Sequence, residues 1–517
     1  MELSEIKQKL LNLPDIEKAE RMRVRADYYF YKGKCTNREK AKLDKALLGQ
    51  NWEVVDNLDY EPTQDIRNKV KPLLKKQAIF MFGNKPDILL KPNNLGKKES
   101  CEELRRFIDD ILEANKFWKN TRKAFLMSTV KKRVLLRLEA NPGMPIKLKY
   151  ENIEDFFYKE IEGNLVQVSF FEEDRNNVYI DDDKDKIYYI HTYYYKSLEN
   201  EEVNAWYKRD TFKGDDLENP ITVVDIDTGF HKIPCWLIKN GGELGDKFGE
   251  SDLEDLKDIQ MQYNRRISDY ADALRFQCNG ADSIIDGNPD DVNSINIAPG
   301  ALHAIRTDDK ALEQGKQAVH KRLEYTFSGS DAINAFLERA IEDMNAAMDM
   351  PRLKDLNNVP SAKAMKYLYN DLIARCEEKF SDWDPVFSDL IEFIKVVARY
   401  CYTSYKAEWD SLEYTTLFTH NYPIPSDEED KKKLAIEEVK ANVRSIQSYL
   451  QDLSEEEDPK KAFMEIIEEK KTLNESEIVD SFQDALNNEP KDKNKDNKQK
   501  DNPLDDEPTR KDPDGDE

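Results

Sequence analysis

An amphipathic pattern that begins at Ser251 most constrains what this chain can fold into. Ser251 and Glu254 have the Ser-x-x-Glu spacing of a helix capping box, so a long helix is predicted to begin here. A single seam of large side chains follows, which predicts packing against a second helix along its length. The seam recurs at steps of three or four residues, at Leu253, Leu256, Gln260, Tyr263, Ile267, Tyr270 and Leu274.

The second helix is predicted to end near Pro351, after an insert that follows Cys278. Within the insert, Ser283-Ile-Ile285 and Ile295-Asn-Ile297 are predicted to be strands. The apolar face of this helix contains Ile333, Phe336, Leu337, Ala340, Ile341, Met344, Ala347 and Met348. The opposite face carries an acidic stripe with almost no lysine to pair with it, formed by Asp331, Glu338, Glu342 and Asp349.

The residues before this helix pair mix helices and strands. One helix is predicted from Asp65 to Phe82, with Pro72 giving either a kink or a late start. A second is predicted from about Cys101 to Leu138. From about Ile146 to Ile238, short runs rich in β-branched and aromatic residues alternate with acidic turns, which predicts a series of strands.

The residues after the helix pair are mainly helical in pattern. A loop from Arg352 to Pro360 leads to a very long helix from Ser361 to about Tyr405, with a kink predicted at Asp384-Pro385. Two more helices are predicted, over 427–453 and 459–471. Beyond about Asn487 the chain has no apolar period, so a disordered, polar tail is predicted.

The chemistry of the chain points away from catalysis. No Walker loop, Gly-x-Ser-x-Gly elbow or His-Glu-x-x-His pair is present, and the carboxylates are too numerous for any pair of them to mark a site. No catalytic residue, metal or cofactor is therefore predicted, and a structural or mechanical role is favoured. The apolar runs are too short for a membrane span. The net charge of −25 makes the chain a poor candidate for wrapping DNA by neutralising phosphates.

Short motifs, in a fixed order from about residue 23 to 471, carry a resemblance to a known family. They are Arg25-Ala-Asp-Tyr-Tyr-Phe-Tyr-Lys-Gly33, Phe80-Met-Phe-Gly-Asn-Lys-Pro86, Ile233-Pro234, Asn240, Gly249 to Leu256, Asn264, Ser268-Asp269, Val359 to Leu368, Pro423, Leu450 and Asp458-Pro459. The Gly-x-Pro motif has one extra residue, and Ala362 stands where the family has glycine. The chain resembles the portal proteins of tailed bacteriophages, of the type found in long-tailed phages of Gram-positive bacteria.

The resemblance implies a mixed α+β fold that is mainly α, with the parts of a portal subunit. These parts are an α/β wing (1–236), a first stem helix (237–278), a small α/β clip (279–323), a second stem helix (324–350), a tunnel loop (351–361), a long kinked wing helix (362–406), a helical crown (407–486) and a disordered tail (487–517).

The resemblance also implies a function without catalysis. Portal proteins form a ring, usually of twelve copies, at one vertex of the capsid, and double-stranded DNA is packaged and later ejected through its channel. The implied partners are the ring's own copies, the terminase large subunit, the head–tail adaptor, the major capsid and scaffolding proteins, and the DNA, without sequence specificity and without a membrane. The ring would be assembled in the bacterial cytoplasm and remain in the virion.

Three sets of residues are the implied sites. The acidic stripe either lines the channel or is a solvated outer face. The tunnel loop offers Lys354, Asp355, Asn357 and Asn358. Lys354 either touches phosphate or pairs near Asp355 of the adjacent copy. The clip offers the docking residues Asp286, Asn288, Asp290, Asp291, His303 and Arg306.

Two other functions stay open. One is a genome-packaging enzyme, either the motor ATPase or a nuclease. The other is a structural head protein that does not handle DNA, such as a coat or scaffold subunit.

Overall fold

A computed structural model describes residues 3–33, 62–196, 203–278, 281–293, 305–323, 329–352, 362–424, 428–441, 443–453, 461–469 and 471. In chain order, the α-helices α1 to α13 of this part of the chain are Leu3–Leu10, Asp15–Lys32, Val70–Phe82, Lys98–Ala114, Phe117–Lys131, Glu254–Cys278, Pro289–Asn293, Asp309–Glu313, Ser330–Ala347, Ala362–Leu368, Asn370–Cys401, Glu428–Lys440 and Ile446–Leu453. Residues 461–469 are also helical. The strands β1 to β12 are Asp87–Pro92, Arg133–Glu139, Lys147–Asn152, Phe156–Ile161, Asn164–Glu173, Ile187–Tyr195, Ala205–Lys213, Thr222–Asp227, Cys235–Lys239, Ala281–Ile285, Val319–Leu323 and Tyr414–Thr419.

The fold is mixed and mainly α, as predicted, and it divides into two compact units, Met1–Pro425 and Ser426–Glu517. In the first unit, β4 to β8 form a five-stranded antiparallel meander in chain order. A three-stranded sheet has the order β3-β2-β9. The strands predicted between Ile146 and Ile238 are confirmed.

The N-terminal helices confirm one predicted alternative and correct one boundary. Helix α3 begins at Val70, which is the late start predicted as one of the two effects of Pro72, so Pro72 lies in the first turn, where its missing N–H costs no intrahelical bond. The helix predicted from Cys101 to Leu138 was wrong at its end, because it is two helices followed by strand β2. The run from Val134 to Leu138 is buried between two neighbouring strands, and a short apolar run of this kind fits a strand or a helix equally well.

The long helix α11 (Asn370–Cys401) runs through Pro385 without ending there. The break in the helical pattern lies at Tyr369, between α10 and α11, so the kink predicted at Asp384-Pro385 is not where the helix is interrupted. A proline inside a helix costs about 3 kcal/mol. Burial of Phe380, Trp383 and Phe387 on both sides of Pro385 offsets this cost.

The largest core of the first unit forms around this long helix. Phe82 packs edge-on against Phe125, Phe380 and Phe387, with Trp383 beside them. A second core joins α2 and α3 to the beginning of α6 and the end of α9. The pair of helices α6 and α9 is therefore anchored where it meets the rest of the unit.

Residues 407–424 belong to the first unit, although the predicted crown begins at 407. Strand β12 pairs with β1 in antiparallel register, with Thr419 opposite Asp87 and Tyr414 opposite Pro92. In the second unit, the helix predicted over 427–453 is two helices, α12 and α13. The predicted strand at 295–297 and the tail from 487 to 517 lie outside the described residues.

Candidate functional site

Helices α6 and α9 pack along the predicted seam. Tyr263 and Ile267 of α6 form a buried cluster with Leu337 and Ala340 of α9. Further along the pair, Leu253 and Leu256 share the second core with Met344 and Met348. The apolar faces of the two helices, each with a repeat of three or four residues, therefore pack against each other as the sequence predicts.

The beginning of α6 differs in detail from a capping box. The helix begins at Glu254, three residues after Ser251. The Ser251 hydroxyl donates to the carbonyl oxygens of Thr129 and Val130, at 3.1 and 3.0 Å, and the N–H of Glu254 donates to the Ser251 carbonyl at 3.0 Å. Ser251 therefore fixes the helix to the end of α5 as well as starting it.

The acidic stripe separates into two parts. Asp331 and Glu338 are exposed and Glu342 is half-buried, all within α9. At about 100° per residue, these three fall on one side of the helix, roughly 100–140° from the buried Leu337. We name Asp331, Glu338 and Glu342 the acidic side.

Asp349 does not belong to the acidic side. Helix α9 ends at Ala347, and Asp349 has a left-handed backbone with φ of 53°. Its carboxylate accepts a hydrogen bond from Arg375 Nη1 at 3.1 Å, and the same nitrogen donates to the Ala347 carbonyl at 3.2 Å. Arg375 thus caps the end of α9 and balances the charge of Asp349, so the sequence-based placement of Asp349 in the helical stripe was wrong.

A group of charged and polar side chains at the base of the helix pair was not predicted. Lys379 Nζ donates to Asn240 Oδ1 and to Asp252 Oδ1, both at 2.9 Å, and Asn240 Nδ2 donates to the same Asp252 oxygen at 2.8 Å. Arg375 lies 3.7 Å from Asp252 Oδ2. We name Asn240, Asp252, Arg375 and Lys379 the charge node.

The charge node is buried, and its two cations are balanced by Asp252 together with the neighbouring Asp349. Asn240, Asp252 and Lys379 are less than one-tenth exposed. Burial lowers the pKa of Arg375, but the carboxylates of Asp252 and Asp349 outweigh this effect and hold that pKa above its ordinary value. The node joins β9, the approach to α6, the end of α9 and the long helix in one network. The sequence motifs include Asn240 and Asp252, but no local pattern links them to Lys379.

The insert between α6 and α9 contains a two-stranded antiparallel sheet of β10 and β11, with Ile284 opposite His320. The carboxylate of Asp291 accepts from the main-chain N–H of Arg306 at 2.9 Å and from its guanidinium at 3.0 and 3.1 Å. These bonds hold the pKa of Asp291 below its ordinary value. The Asn288 N–H donates to the Arg306 carbonyl at 2.8 Å, and Asp290 is exposed.

Four of the six predicted clip residues, namely Asn288, Asp290, Asp291 and Arg306, therefore lie close together. A fifth, Asp286, accepts a hydrogen bond from the N–H of Asp308 through its main-chain carbonyl, at 3.0 Å. The structure covers Asp286, Asn288, Asp290, Asp291 and Arg306, whereas His303 lies outside the described residues. Lys354, Asp355, Asn357 and Asn358 of the predicted tunnel loop lie outside them too. Among the residues that are described, no cluster of three potential metal ligands is found. None of the described helices has the length and apolar character needed to cross a membrane.

The chain was also compared with known protein families. The family described as "Phage portal protein, SPP1 Gp6-like" matches residues 10–476. The chain belongs to this family. The family is one of structural proteins of the bacteriophage virion that serve in genome packaging, and it implies an oligomeric ring that contacts the capsid and DNA. No curated protein matches the chain.

Proposed function

We propose that copies of this chain close into a ring, of twelve copies in the family picture, and that double-stranded DNA is packaged and ejected through its channel. The observation that carries this proposal is the match of the portal family over residues 10–476. The packed helix pair, with an insert that contains a two-stranded sheet, supports it, because such an arrangement suits a stem that ends in a small docking module. In this proposal the stem is formed by α6 and α9 and the clip by the insert.

Negative-stain electron microscopy of the purified full chain tests the ring directly. A ring with a central hole about as wide as a DNA duplex is the expected result. Compact single particles with nucleotide turnover would instead favour a packaging motor, and non-annular assemblies would favour a coat or scaffold subunit.

We further propose that the acidic side of α9 faces the channel. A wall that neutralised phosphates would bind DNA and slow its passage, since each neutralised phosphate adds affinity. A negative wall repels the duplex from every side and keeps it mobile. Asp331, Glu338 and Glu342 can supply this charge, while Asp349 contributes least because Arg375 balances it.

Replacing the acidic side is expected to slow DNA packaging. The triple variant Asp331→Asn, Glu338→Gln and Glu342→Gln should package at least about two-fold more slowly at low salt, and the defect should shrink in high salt because screening weakens the lost repulsion. Packaging into procapsids at two ionic strengths measures this effect. Asp343→Asn is the matched control, because Asp343 lies on another side of the same helix, 4.0 Å from Arg339. Equal rates in the triple variant and the control would contradict the assignment of this side to the channel.

The insert is the proposed docking surface for the terminase large subunit and then the head–tail adaptor. The side chain of Arg306 is 74% exposed, although it is paired with Asp291. Arg306→Gln should change the stability of the chain little, since the guanidinium lies largely in solvent. It should weaken binding of both partners, which pull-down from rings measures, while Arg266→Gln on α6 leaves binding unchanged. Unaltered binding of Arg306→Gln and Asp290→Asn rings would count against docking at this surface.

The remaining assignments follow from the family picture. We propose that residues 1–236 and 362–406 form a wing that meets the major capsid and scaffolding proteins, that 351–361 form the tunnel loop, and that 407–486 form the crown. Assembly in the host bacterial cytoplasm, before incorporation at the portal vertex, is part of the same proposal.

A further inference from the structure

Four polar side chains of α6 form a row at every fourth residue. Gln260, Asn264 and Ser268 are less than one-twentieth exposed, and Asp272 continues the row. In an α-helix, residues four apart lie above one another on the same face. The row therefore gives α6 a buried polar face beside its apolar seam, and the function proposed above leaves this face unexplained.

The row binds the main chain of residues 62–69, which we name the strap. The N–H groups of Lys69, Arg67 and Asp65 donate to Gln260 Oε1, Asn264 Oδ1 and Ser268 Oγ, at 2.8, 3.2 and 2.9 Å. The last contact is made by Thr63, whose N–H and hydroxyl donate to Asp272, at 3.0 and 2.6 Å. Every second residue of the strap thus donates its N–H to every fourth residue of α6.

The two spacings match because of the geometry of the backbones. Four helical residues rise about 6.0 Å, and two residues of an extended chain rise about 6.6 Å. An extended strap can therefore run antiparallel to the helix and keep four hydrogen bonds in step. Apart from the Thr63 hydroxyl, these contacts use the main chain of the strap, so they fix its path and select few of its side chains.

The register of the strap is fixed at its end. Asn68 Nδ2 donates to the Tyr31 carbonyl of α2 at 2.8 Å, and Asn68 Oδ1 accepts from the Lys71 N–H in the first turn of α3 at 3.0 Å. Ile66 packs against the core that α2 and α3 share with α6. The strap consequently links α6 to two helices at once.

We propose that the strap is a brace that fixes α6 to α2 and α3 and carries load from the stem into the rest of the subunit. The inference rests on the proposed channel function, because only a stem that guides moving DNA has such a load to carry. Packing of the apolar seam holds α6 against α9, and the strap holds the face of α6 that the seam leaves free. Gln260, Asn264, Ser268 and Asp272 are therefore positioning residues.

Two proline substitutions in the strap test whether its N–H bonds to α6 form the brace. Arg67→Pro removes an N–H that donates to Asn264, whereas Gln64→Pro alters a residue whose N–H takes no part in the row. Both prolines suit an extended backbone. In full-chain rings of Arg67→Pro, the amides of Asp65 and Lys69 should exchange hydrogen about tenfold faster than in the wild type, as local opening becomes easier, and packaging should slow. Gln64→Pro should match the wild type in both measurements.

A second pair of variants keeps the test decisive if Arg67→Pro does not assemble. Ser268→Ala removes the acceptor for Asp65, and Ser268→Thr retains a hydroxyl at the same position. Faster exchange at Asp65 in the alanine variant alone supports the brace. Equal exchange in both members of each pair overturns it, and changed exchange with unchanged packaging overturns its role in carrying load. If wild-type rings do not package DNA, the proposed function fails, and the exchange measurement still decides whether the brace exists.

Discussion

Replacing Lys379 by methionine is expected to lower the free energy of unfolding by about 3–5 kcal/mol. The substitution leaves the Asp252 carboxylate, 7% exposed, without the ammonium group that lies 2.9 Å away. Asn240 then remains as a donor at 2.8 Å, and Arg375 at 3.7 Å is too distant to replace the lost hydrogen bond. Urea denaturation of the full chain, followed by tryptophan fluorescence, measures the loss, because Trp383 lies one turn further along the same helix.

An exposed ion pair provides the matched control. Arg266 and Asp269 of α6 are 3.1 Å apart, and both side chains are 60% exposed. Arg266→Met should cost less than about 1 kcal/mol, since water solvates the remaining carboxylate. The double variant Lys379→Met with Asp252→Leu should be more stable than Lys379→Met alone, because it removes the buried carboxylate that has lost its nearest cation. A Lys379→Met variant no less stable than Arg266→Met would show that the charge node does not hold these elements together.

The periodicity of the sequence was sufficient to predict the helix pair and most of the strands. Leu253 and Leu256 of the α6 seam, and Leu337 and Met344 of α9, are buried where a 3.6-residue repeat places them. Periodicity failed at Val134 to Leu138, because a short run that is buried on both faces has no period. It also failed for Asp349, because the end of α9 depends on a left-handed residue and on Arg375, which is far away in the sequence.

The charge node and the strap depend on contacts that no local pattern contains. Lys379 lies 127 residues from Asp252 and 139 from Asn240 along the chain. The row on α6 did leave a signal, since Gln260, Asn264, Ser268 and Asp272 are polar at four-residue steps. Gln260 was assigned to the apolar seam instead, and only the fold shows that it binds main chain. A local sequence pattern therefore cannot identify the partner of a buried polar residue when that partner lies far away in the sequence.

The stability of the five-stranded sheet should depend on pH through His191 of β6. Its ring stacks on Phe170, and Nδ1 lies 2.7 Å from the Tyr207 hydroxyl. Burial lowers the pKa of His191 to about 4, although Glu172 opposes this shift. Unfolding returns the imidazole to water and to an ordinary pKa of about 6.5. Between these values the unfolded chain binds a proton that the folded chain does not, so stability falls as the pH falls from about 6.5 to 4.

The size of this effect follows from the shift and can be measured with one substitution. The contribution of His191 is fully present above pH 6.5, and about 3 kcal/mol of it is lost by pH 4. His191→Gln keeps a polar group near Tyr207 but binds no proton, so its stability should decline less than that of the wild type over this range. Urea titrations at pH 7, 5.5 and 4.5 measure the difference, with His231→Gln as a control at an exposed histidine. If His191→Gln and the wild type lose stability in parallel, the acid sensitivity of the chain arises from other groups.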